Sequence, residues 1–207
     1  GALIALGVLT LVWSYNWIVM KQVLAWAGPF HFAALRAVLA TLVLFAVVAL
    51  RGESLAPTPW RDTALIGLAQ TTGFQSLVQW ALVDGGAGKT ALLAYTMPFW
   101  VLLLARLLLG ERPTRWQWAC VAVAALGLGL ILEPWQGLGG GNSAALALVS
   151  GASWALSVVL TKRLFARHAV SPLRLTTWQM LYGALGLVAV AALVPEKPIV
   201  WNAFFAA

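Results

Sequence analysis

Long apolar runs alternate with short polar connections along the whole chain. The runs lie at residues 2–20, 30–50, 63–83, 91–109, 116–132, 144–160 and 175–194, and an eighth begins near Val200. Each of the first seven is close to the roughly 20 residues that an α-helix needs to cross a bilayer core. The strands of a membrane β-barrel are only about 10 residues long and alternate in polarity. The pattern therefore predicts an all-α, polytopic membrane protein.

The composition agrees with lipid as the main solvent. Of the 207 residues, 62% are hydrophobic and only 9% are charged, whereas soluble domains carry about 25% charged residues. The single cysteine excludes an internal disulfide. A soluble domain with an ordinary polar surface is therefore excluded.

The net charge of +7 predicts the orientation of the helices. If the spans cross alternately, the odd-numbered connections carry only Lys21, Lys89 and Lys197. The even-numbered connections and the span ends beside them carry Arg51, Arg61, Arg106, Arg112, Arg115, Lys162, Arg163, Arg167 and Arg174. Lys and Arg accumulate on the cytoplasmic side of membrane proteins. We therefore expect an inner-membrane protein with a cytoplasmic N-terminus. No nucleic-acid partner is expected, because no basic stretch lies on a soluble domain.

The chain also resembles itself. Trp13 and Lys21 match Trp154 and Lys162 at an offset of 141 residues. Pro29 and Arg36 match Pro172 and Gln179 at an offset of 143 residues. Five spans precede the second copy, and because five is odd this copy starts from the opposite side of the membrane. Inverted repeats of this kind are typical of secondary transporters.

This repeat predicts a domain organisation. A first five-helix repeat occupies residues 1–136, a glycine-rich linker residues 137–143, and an incomplete second repeat residues 144–207. Two complete copies would contain ten helices in about 284 residues. We therefore expect the chain to be part of a longer protein, with seven helices and the start of an eighth present.

Residues 91–132 resemble the fourth and fifth helices of the EamA family, in the drug/metabolite transporter superfamily. The matching features are Pro98 within a helix, the turn Gly110-Glu111-Arg112 and the glycine-rich helix that follows. The first span, with Trp13, Asn16 and Lys21, resembles the family's opening helix, and Arg36 and Gln179 match its second and seventh helices.

The resemblance implies ten helices in two inverted halves and the transport of small metabolites, often outward. Bacterial members include amino-acid exporters, and this tryptophan-rich chain is most similar to those of aromatic amino acids. The expected function is secondary transport by alternating access, with a small-molecule substrate, the lipid bilayer as partner and no cofactor. The oligomeric state, including a homo-oligomer, stays open.

The third span carries the clearest polar face. Thr72, Gln75, Ser76 and Gln79 follow the spacing i, i+3, i+4, i+7, which places them on one side of a helix. Polar groups that face lipid are costly. This face therefore lines a substrate cavity or forms hydrogen bonds between helices.

The fourth span combines aromatic residues with a proline. Pro98 removes one backbone hydrogen bond and allows a kink. A kink among aromatic side chains suits a hinge and a binding pocket, or else a core helix bent for packing. The candidate lining residues are Tyr95, Thr96, Phe99 and Trp100.

Other spans add further candidate lining residues. They are Trp13, Asn16 and Trp17 in the first span, Trp154 in the sixth, and Trp178 and Gln179 in the seventh. The serines of the sixth span are expected to serve helix packing. The fifth span is almost free of polar side chains and is predicted to be a packing scaffold.

Arg36 is the only strong charge that lies inside a span on its external half. It lies about two turns from the end of its helix, so its side chain can snorkel to the lipid headgroups. The alternative is a cation that attracts a substrate carboxylate. No Asp or Glu lies deep in a visible span, and intramembrane carboxylates are typical of ion-driven pumps. Exchange, or movement down the substrate's own gradient, is therefore favoured.

Two other classes of protein remain as alternatives. An intramembrane enzyme is disfavoured because His31 and His168 lie at opposite ends of the spans without paired carboxylates at metal-ligand spacing. No metal site is expected. Gly88-Lys89-Thr90 resembles the end of a phosphate-binding loop, but Val83 stands where its first glycine is required. A channel-like pore differs from a carrier only in kinetics.

Overall fold

The computed structural model describes residues 2–132 and 141–200, and the regular structure in these ranges is helical. A π-helical segment, Leu68–Gly73, joins α3 to α4 without a break. The α-helices are α1 (Ala2–Val23), α2 (Pro29–Leu50), α3 (Trp60–Gly67), α4 (Phe74–Asp84), α5 (Ala87–Ala94), α6 (Met97–Leu109), α7 (Arg115–Leu132), α8 (Gly141–Arg167) and α9 (Pro172–Leu193). Residues 137–140 of the predicted linker and the eighth span after Val200 lie outside the described residues.

The predicted fold class is confirmed. Five helical segments are long and apolar enough to cross a membrane, namely Leu3–Val23, Pro29–Leu50, Ala87–Leu109, Asn142–Arg167 and Pro172–Leu193. The other two predicted spans are also helical: the third consists of α3, the π-helical segment and α4, and the fifth is α7. The protein is therefore an all-α, polytopic membrane protein.

The odd-numbered connections meet at one end of the bundle. The N–H of Gly28, after α1, donates to the carbonyl of Lys197, after α9 (3.2 Å). Lys21 Nζ donates to the carbonyl of Leu82 at the end of α4 (2.6 Å), where a cation is favourable because carbonyls there lack intrahelical partners. The Ser143 hydroxyl of α8 donates to the carbonyl of Ala81.

The even-numbered connections meet at the opposite end. Ser171, before α9, donates to the carboxylate of Glu53 after α2 (2.8 Å). Arg174 Nη2 donates to the Ala56 carbonyl (2.8 Å). Lys162 of α8 forms an ion pair with Glu111, which follows α6. The connections thus alternate between two ends, as successive crossings require.

A carboxylate from the end of the described chain caps α2. Gly28, at the N-cap position of this helix, has no side chain to offer. Glu196 fills that role, because its carboxylate accepts the N–H groups of Phe30 (2.9 Å) and His31. The Glu196 carboxylate is also in contact with the His31 ring. A negative charge at a helix N-terminus is favourable, because the first N–H groups have no intrahelical acceptor.

Small residues let the helices approach closely in the middle of the bundle. Ala33, Ala34 and Ala37 of α2 pack against Ala184 and Leu187 of α9. In lipid, helix association depends on such close packing and on interhelical hydrogen bonds. Lipid tails are as apolar as the side chains, so the hydrophobic effect does not drive the helices together. The α2–α9 contact is the most extensive one between the described helices.

Two glycines bring α9 against α3. A side-chain carbon on Gly183 would lie 2.6 Å from the Gly67 carbonyl oxygen and would collide with the Thr71 side chain. A side-chain carbon on Gly67 would collide with the Gln179 carbonyl. The backbones of the two helices are therefore in direct contact at these positions.

Helix α7 does not behave as the predicted packing scaffold. None of its described side chains, at residues 115–130, is buried. Val123, Leu126 and Leu130 are each 70% exposed, and added side chains at Gly127 and Gly129 would meet no atom within 4 Å. The prediction was wrong because small residues permit close helix packing but do not require it.

Gly183→Ala is expected to destabilise the protein by about 1–3 kcal/mol, because the added methyl group overfills the contact with α3. The measurement is the thermal unfolding midpoint of the purified protein in detergent. The control is Gly7→Ala in α1, where a side-chain carbon meets no atom within 4 Å and where alanine favours the helix by up to about 1 kcal/mol. Equal midpoints for the two variants would contradict this packing.

The orientation can be tested with single cysteines in a background where the exposed Cys120 is replaced by alanine. Lys89→Cys is expected to react with a membrane-impermeant maleimide in intact cells. Arg163→Cys is expected to react only after the membrane is permeabilised, because positive connections stay cytoplasmic. The reverse labelling pattern would place the N-terminus outside.

Candidate functional site

A cavity of about 280 Å³ lies inside the bundle between α1, α2, α9 and the third span. We call it the central cavity. Its polar lining consists of Arg36, Gln70, Thr71 and Gln75. Its apolar lining consists of Trp13, Ala33, Ala37, Ala40 and Met180. Polar side chains therefore line a space between membrane-spanning helices, where polar groups that faced lipid would be costly.

The π-helical segment determines which residues of the third span reach this cavity. It closes with an N–H of Phe74 that is bonded to the Ala69 carbonyl five residues earlier. Ser153 of α8 donates a second hydrogen bond to the same carbonyl (2.8 Å). A π-turn is wider than an α-turn and is often found at functional sites. The wider turn lies at Gln70 and Thr71, which both line the cavity.

The predicted polar face of the third span is divided between several environments. Gln75 lines the central cavity. Thr72 donates to the Gly183 carbonyl of α9 (2.9 Å), which is a hydrogen bond between helices. Gln79 is fully buried, and neither its amide nitrogen nor its amide oxygen has a partner among the described residues. The buried Ser76 hydroxyl likewise lacks a described partner. This face therefore borders a cavity at Gln75 and bonds to another helix at Thr72, and its role in substrate binding stays a prediction.

Four predicted residues meet in an aromatic cluster made of Trp13, Trp17, Phe74, Tyr95 and Trp154. The Trp154 ring lies 6.3 Å from that of Trp13 and 5.0 Å from that of Phe74. The Trp17 indole N–H donates to the Tyr95 hydroxyl (3.0 Å), with the rings edge to face. Since Trp13 also lines the central cavity, the aromatic cluster adjoins it.

The fourth span breaks where Pro98 predicts it. Helix α5 ends at Ala94 and α6 begins at Met97. Because proline has no N–H, Pro98 cannot donate to the carbonyl of Ala94, four residues earlier. Gly151 of α8 lies against this carbonyl, where a side-chain carbon would be only 2.8 Å away. Helix α8 thus packs directly against the break, and the hinge role of Pro98 stays a prediction.

A second cavity, of about 480 Å³, lies between this break and α7. We call it the lateral cavity. Tyr95, Thr96, Pro98 and Phe99 line one side of it, and Cys120, Val121 and Ala124 line the other. Its α7 side is formed by small or apolar side chains, so it lacks the polar groups found in the central cavity.

Besides Trp17, Thr72, Ser76, Gln79 and Trp154, four further predicted residues lie outside the lining of both cavities. Asn16 donates to the sulfur of Met20 on its own helix (3.7 Å). Trp178 packs between Phe45 and Tyr182. Gln179 brings its backbone against Gly67. The fourth, Trp100, is half-buried in α6.

The serines of α8 serve packing, as predicted. Ser157 donates to the Gln70 side chain and Ser150 to its own helix. Metal chemistry has no visible basis in residues 2–132 and 141–200, where no cluster of three or more His, Cys, Asp or Glu side chains could hold an ion.

Gln79→Leu is expected to stabilise the protein by about 1–3 kcal/mol, because it removes two unpaired polar atoms from a fully buried position. The measurement is the thermal unfolding midpoint in detergent. Gln22→Leu is the control, since Gln22 is exposed at the end of α1. A lower midpoint for Gln79→Leu would mean that the amide has partners in the complete protein.

Comparison with known proteins agrees with this architecture. One crystal structure superimposes with a TM-score of 0.65 at 23% identity, covering 95% of this chain and 68% of the other. At that identity the match supports the fold alone.

Several curated relatives are named as transporters. An uncharacterised transporter, YoaV of Bacillus subtilis, is 24% identical over 95% of this chain and 70% of its own. A chloroplastic WAT1-related protein of Arabidopsis thaliana is 29% identical over 87% of this chain, and a riboflavin transporter of Rhizobium johnstonii is 34% identical over 58%. The chain spans only 45% and 38% of those two relatives. The profile of the EamA-like transporter family matches residues 1–133, and the chain therefore belongs to the EamA-like transporter family.

Proposed function

We propose that the protein is a secondary transporter that moves small metabolites across the cytoplasmic membrane by alternating access. The observation that carries this proposal is the central cavity, which is lined in part by polar side chains and lies between helices that are otherwise apolar. Membrane proteins keep polar groups at this depth mainly along substrate pathways or between packed helices.

Amino acids, aromatic ones in particular, are the proposed substrates, and export is the proposed direction. The cavity combines the flat Trp13 ring with the amides of Gln70 and Gln75. Aromatic rings bind flat apolar groups and attract ammonium groups through cation–π interaction. The relative named as a riboflavin transporter makes riboflavin a second probe of the same site.

An inverted repeat is the proposed basis of alternating access, with residues 1–136 as the first unit and residues 144–207 as the start of the second. Two contacts support it. Trp13 and Trp154, which correspond in the repeat, lie against each other. Helices α2 and α9, which also correspond, form the most extensive contact between the described helices. Equivalent elements meet when a pseudo-two-fold axis passes between them.

A carrier and a pore can be distinguished by counterflow in proteoliposomes. Proteoliposomes that contain the protein are loaded with unlabelled phenylalanine, tryptophan or riboflavin, and the entry of the same compound in labelled form is measured. Saturable counterflow that overshoots equilibrium indicates a carrier, because inner substrate must return the site to the outside. Flux proportional to concentration, without overshoot, would support a pore, and turnover of the compound would support an enzyme.

Gln75→Leu is expected to reduce counterflow at least about tenfold, because a charge-neutral hydrogen-bonding group in the cavity is worth about 0.5–1.5 kcal/mol and an unpaired substrate group costs more. Gln79→Leu is expected to lower transport without lowering membrane expression, as the shared helix face predicts. The exposed Gln22→Leu is the matched control. Unchanged flux in both Gln75→Leu and Gln79→Leu would remove this helix face from the pathway.

A further inference from the structure

Arg36 is a charged group without a counter-charge in the central cavity. Its Nη1 atom is buried, and it has no hydrogen-bond partner within the described part of the chain. Its guanidinium lies 5.3 Å from the centre of the Phe32 ring, in the adjacent turn of α2. The guanidinium remains protonated in proteins, and an unpaired buried charge is strongly unfavourable. A cation–π contact offsets only a small part of that cost.

The walls of the cavity do not supply the missing anion. The polar groups around Arg36 are the neutral side chains of Gln70, Thr71 and Gln75. No acidic side chain is part of the described lining. The acidic residues that the structure describes near helix ends, such as Glu53 and Glu196, are engaged with Ser171 and with the start of α2.

The burial of the Nη1 atom of Arg36 argues against snorkelling as the only role of this side chain. It lies about two turns inside α2, roughly 10 Å from the helix end. A snorkelling side chain would place its polar tip in the headgroup layer. Here one terminal nitrogen, Nη1, is buried, and Arg36 lines the same space as Trp13 and Gln75.

We propose that Arg36 binds the anionic group of the transported substrate, and that this group is a carboxylate. This inference rests on the proposed transport function and narrows its substrate class. The planar guanidinium offers paired donors that match the two oxygens of a carboxylate. Gln70 and Gln75 are placed to bond further polar groups, and Trp13 and Met180 contact the apolar part. A volume of about 280 Å³ lies at the lower end of ligand pockets and suits a small metabolite.

The test uses pairs of probes that differ only in the charged group: phenylalanine and phenylalaninamide, benzoate and benzamide, nicotinate and nicotinamide. Thermal stabilisation of the complete protein in detergent measures their binding. We expect the acid of at least one pair to bind about tenfold or more tightly than its amide, because a charged hydrogen bond is stronger than a neutral one.

Variants then assign this preference to one side chain. Arg36→Gln is expected to bind the preferred acid about tenfold or more weakly and to lose the preference over the amide. Arg36→Lys keeps the charge without the paired donors and is expected to retain part of the affinity. Arg106→Gln, an exposed arginine of α6, is the matched control and should behave like the wild type. If Arg36→Gln fails to fold, the acid affinities of Arg36→Lys and Arg106→Gln are compared instead. Weaker acid binding in Arg36→Lys supports the role of Arg36, and equal binding overturns it.

A lipid headgroup could supply an anion of the same class, and one arm of the experiment separates the two sources. Binding is repeated in bilayers of phosphatidylcholine alone and in bilayers that also contain phosphatidylglycerol. Acid binding that is equal in both supports a metabolite carboxylate. Stabilisation by phosphatidylglycerol that disappears in Arg36→Gln, with no response to any acid, would overturn the proposal in favour of a lipid anchor.

The remaining outcomes separate this inference from the transport function. Equal binding of acids and amides, or full acid affinity in Arg36→Gln, would overturn the role of Arg36. Counterflow of riboflavin, the probe without a carboxylate, would in that case still support the transport function. Acid binding that depends on Arg36, without counterflow of any probe, would support the anion site and contradict transport.

Discussion

Every backbone N–H and C=O inside a bilayer must find a partner within the protein, because hydrocarbon offers none. This constraint explains why the described spans are helical and why their two irregularities are located where they are. The π-helical segment Leu68–Gly73 borders the central cavity, and its Ala69 carbonyl is bonded by Ser153 of α8. The break before Met97 borders the lateral cavity and is covered by Gly151 of the same helix. Helix α8 thus supports both departures from regular geometry.

The same constraint explains the division of labour among polar side chains. Thr72, Ser153 and Ser157 are bonded to other helices and hold the bundle together. Arg36 and Gln75 instead face an open space. Interhelical hydrogen bonds in membranes contribute only about 0.5–2 kcal/mol each, so the close contacts of alanine and glycine between α2, α3 and α9 carry much of the stability. A side chain left facing a cavity contributes little to that packing and is free for ligands.

The sequence alone predicted the helices well, because length and hydropathy decide what crosses a bilayer. It also identified Trp13, Gln75 and Tyr95, whose types are unusual among apolar neighbours. It did not select Gln70 and Thr71 as candidate site residues, because a regular 3.6-residue period cannot anticipate a π-turn that rotates them into the cavity. The sequence could not distinguish Gln75 from Gln79 either. Both lie on the same helix face, and the packing of the neighbouring helices decides which of them borders the cavity. The sequence could not show that the Nη1 atom of Arg36 is buried at the cavity either, because a long side chain can extend in either direction.

The contact between Glu196 and α2 joins the chain after α9 to the start of a distant helix. The carboxylate comes from the chain after α9, whereas the N–H groups it holds begin the helix that carries Arg36 about two turns further on. Any separation of these two segments removes the cap and exposes two backbone donors together. Opening of this end of the bundle would therefore also uncap the first turn of the helix that carries Arg36.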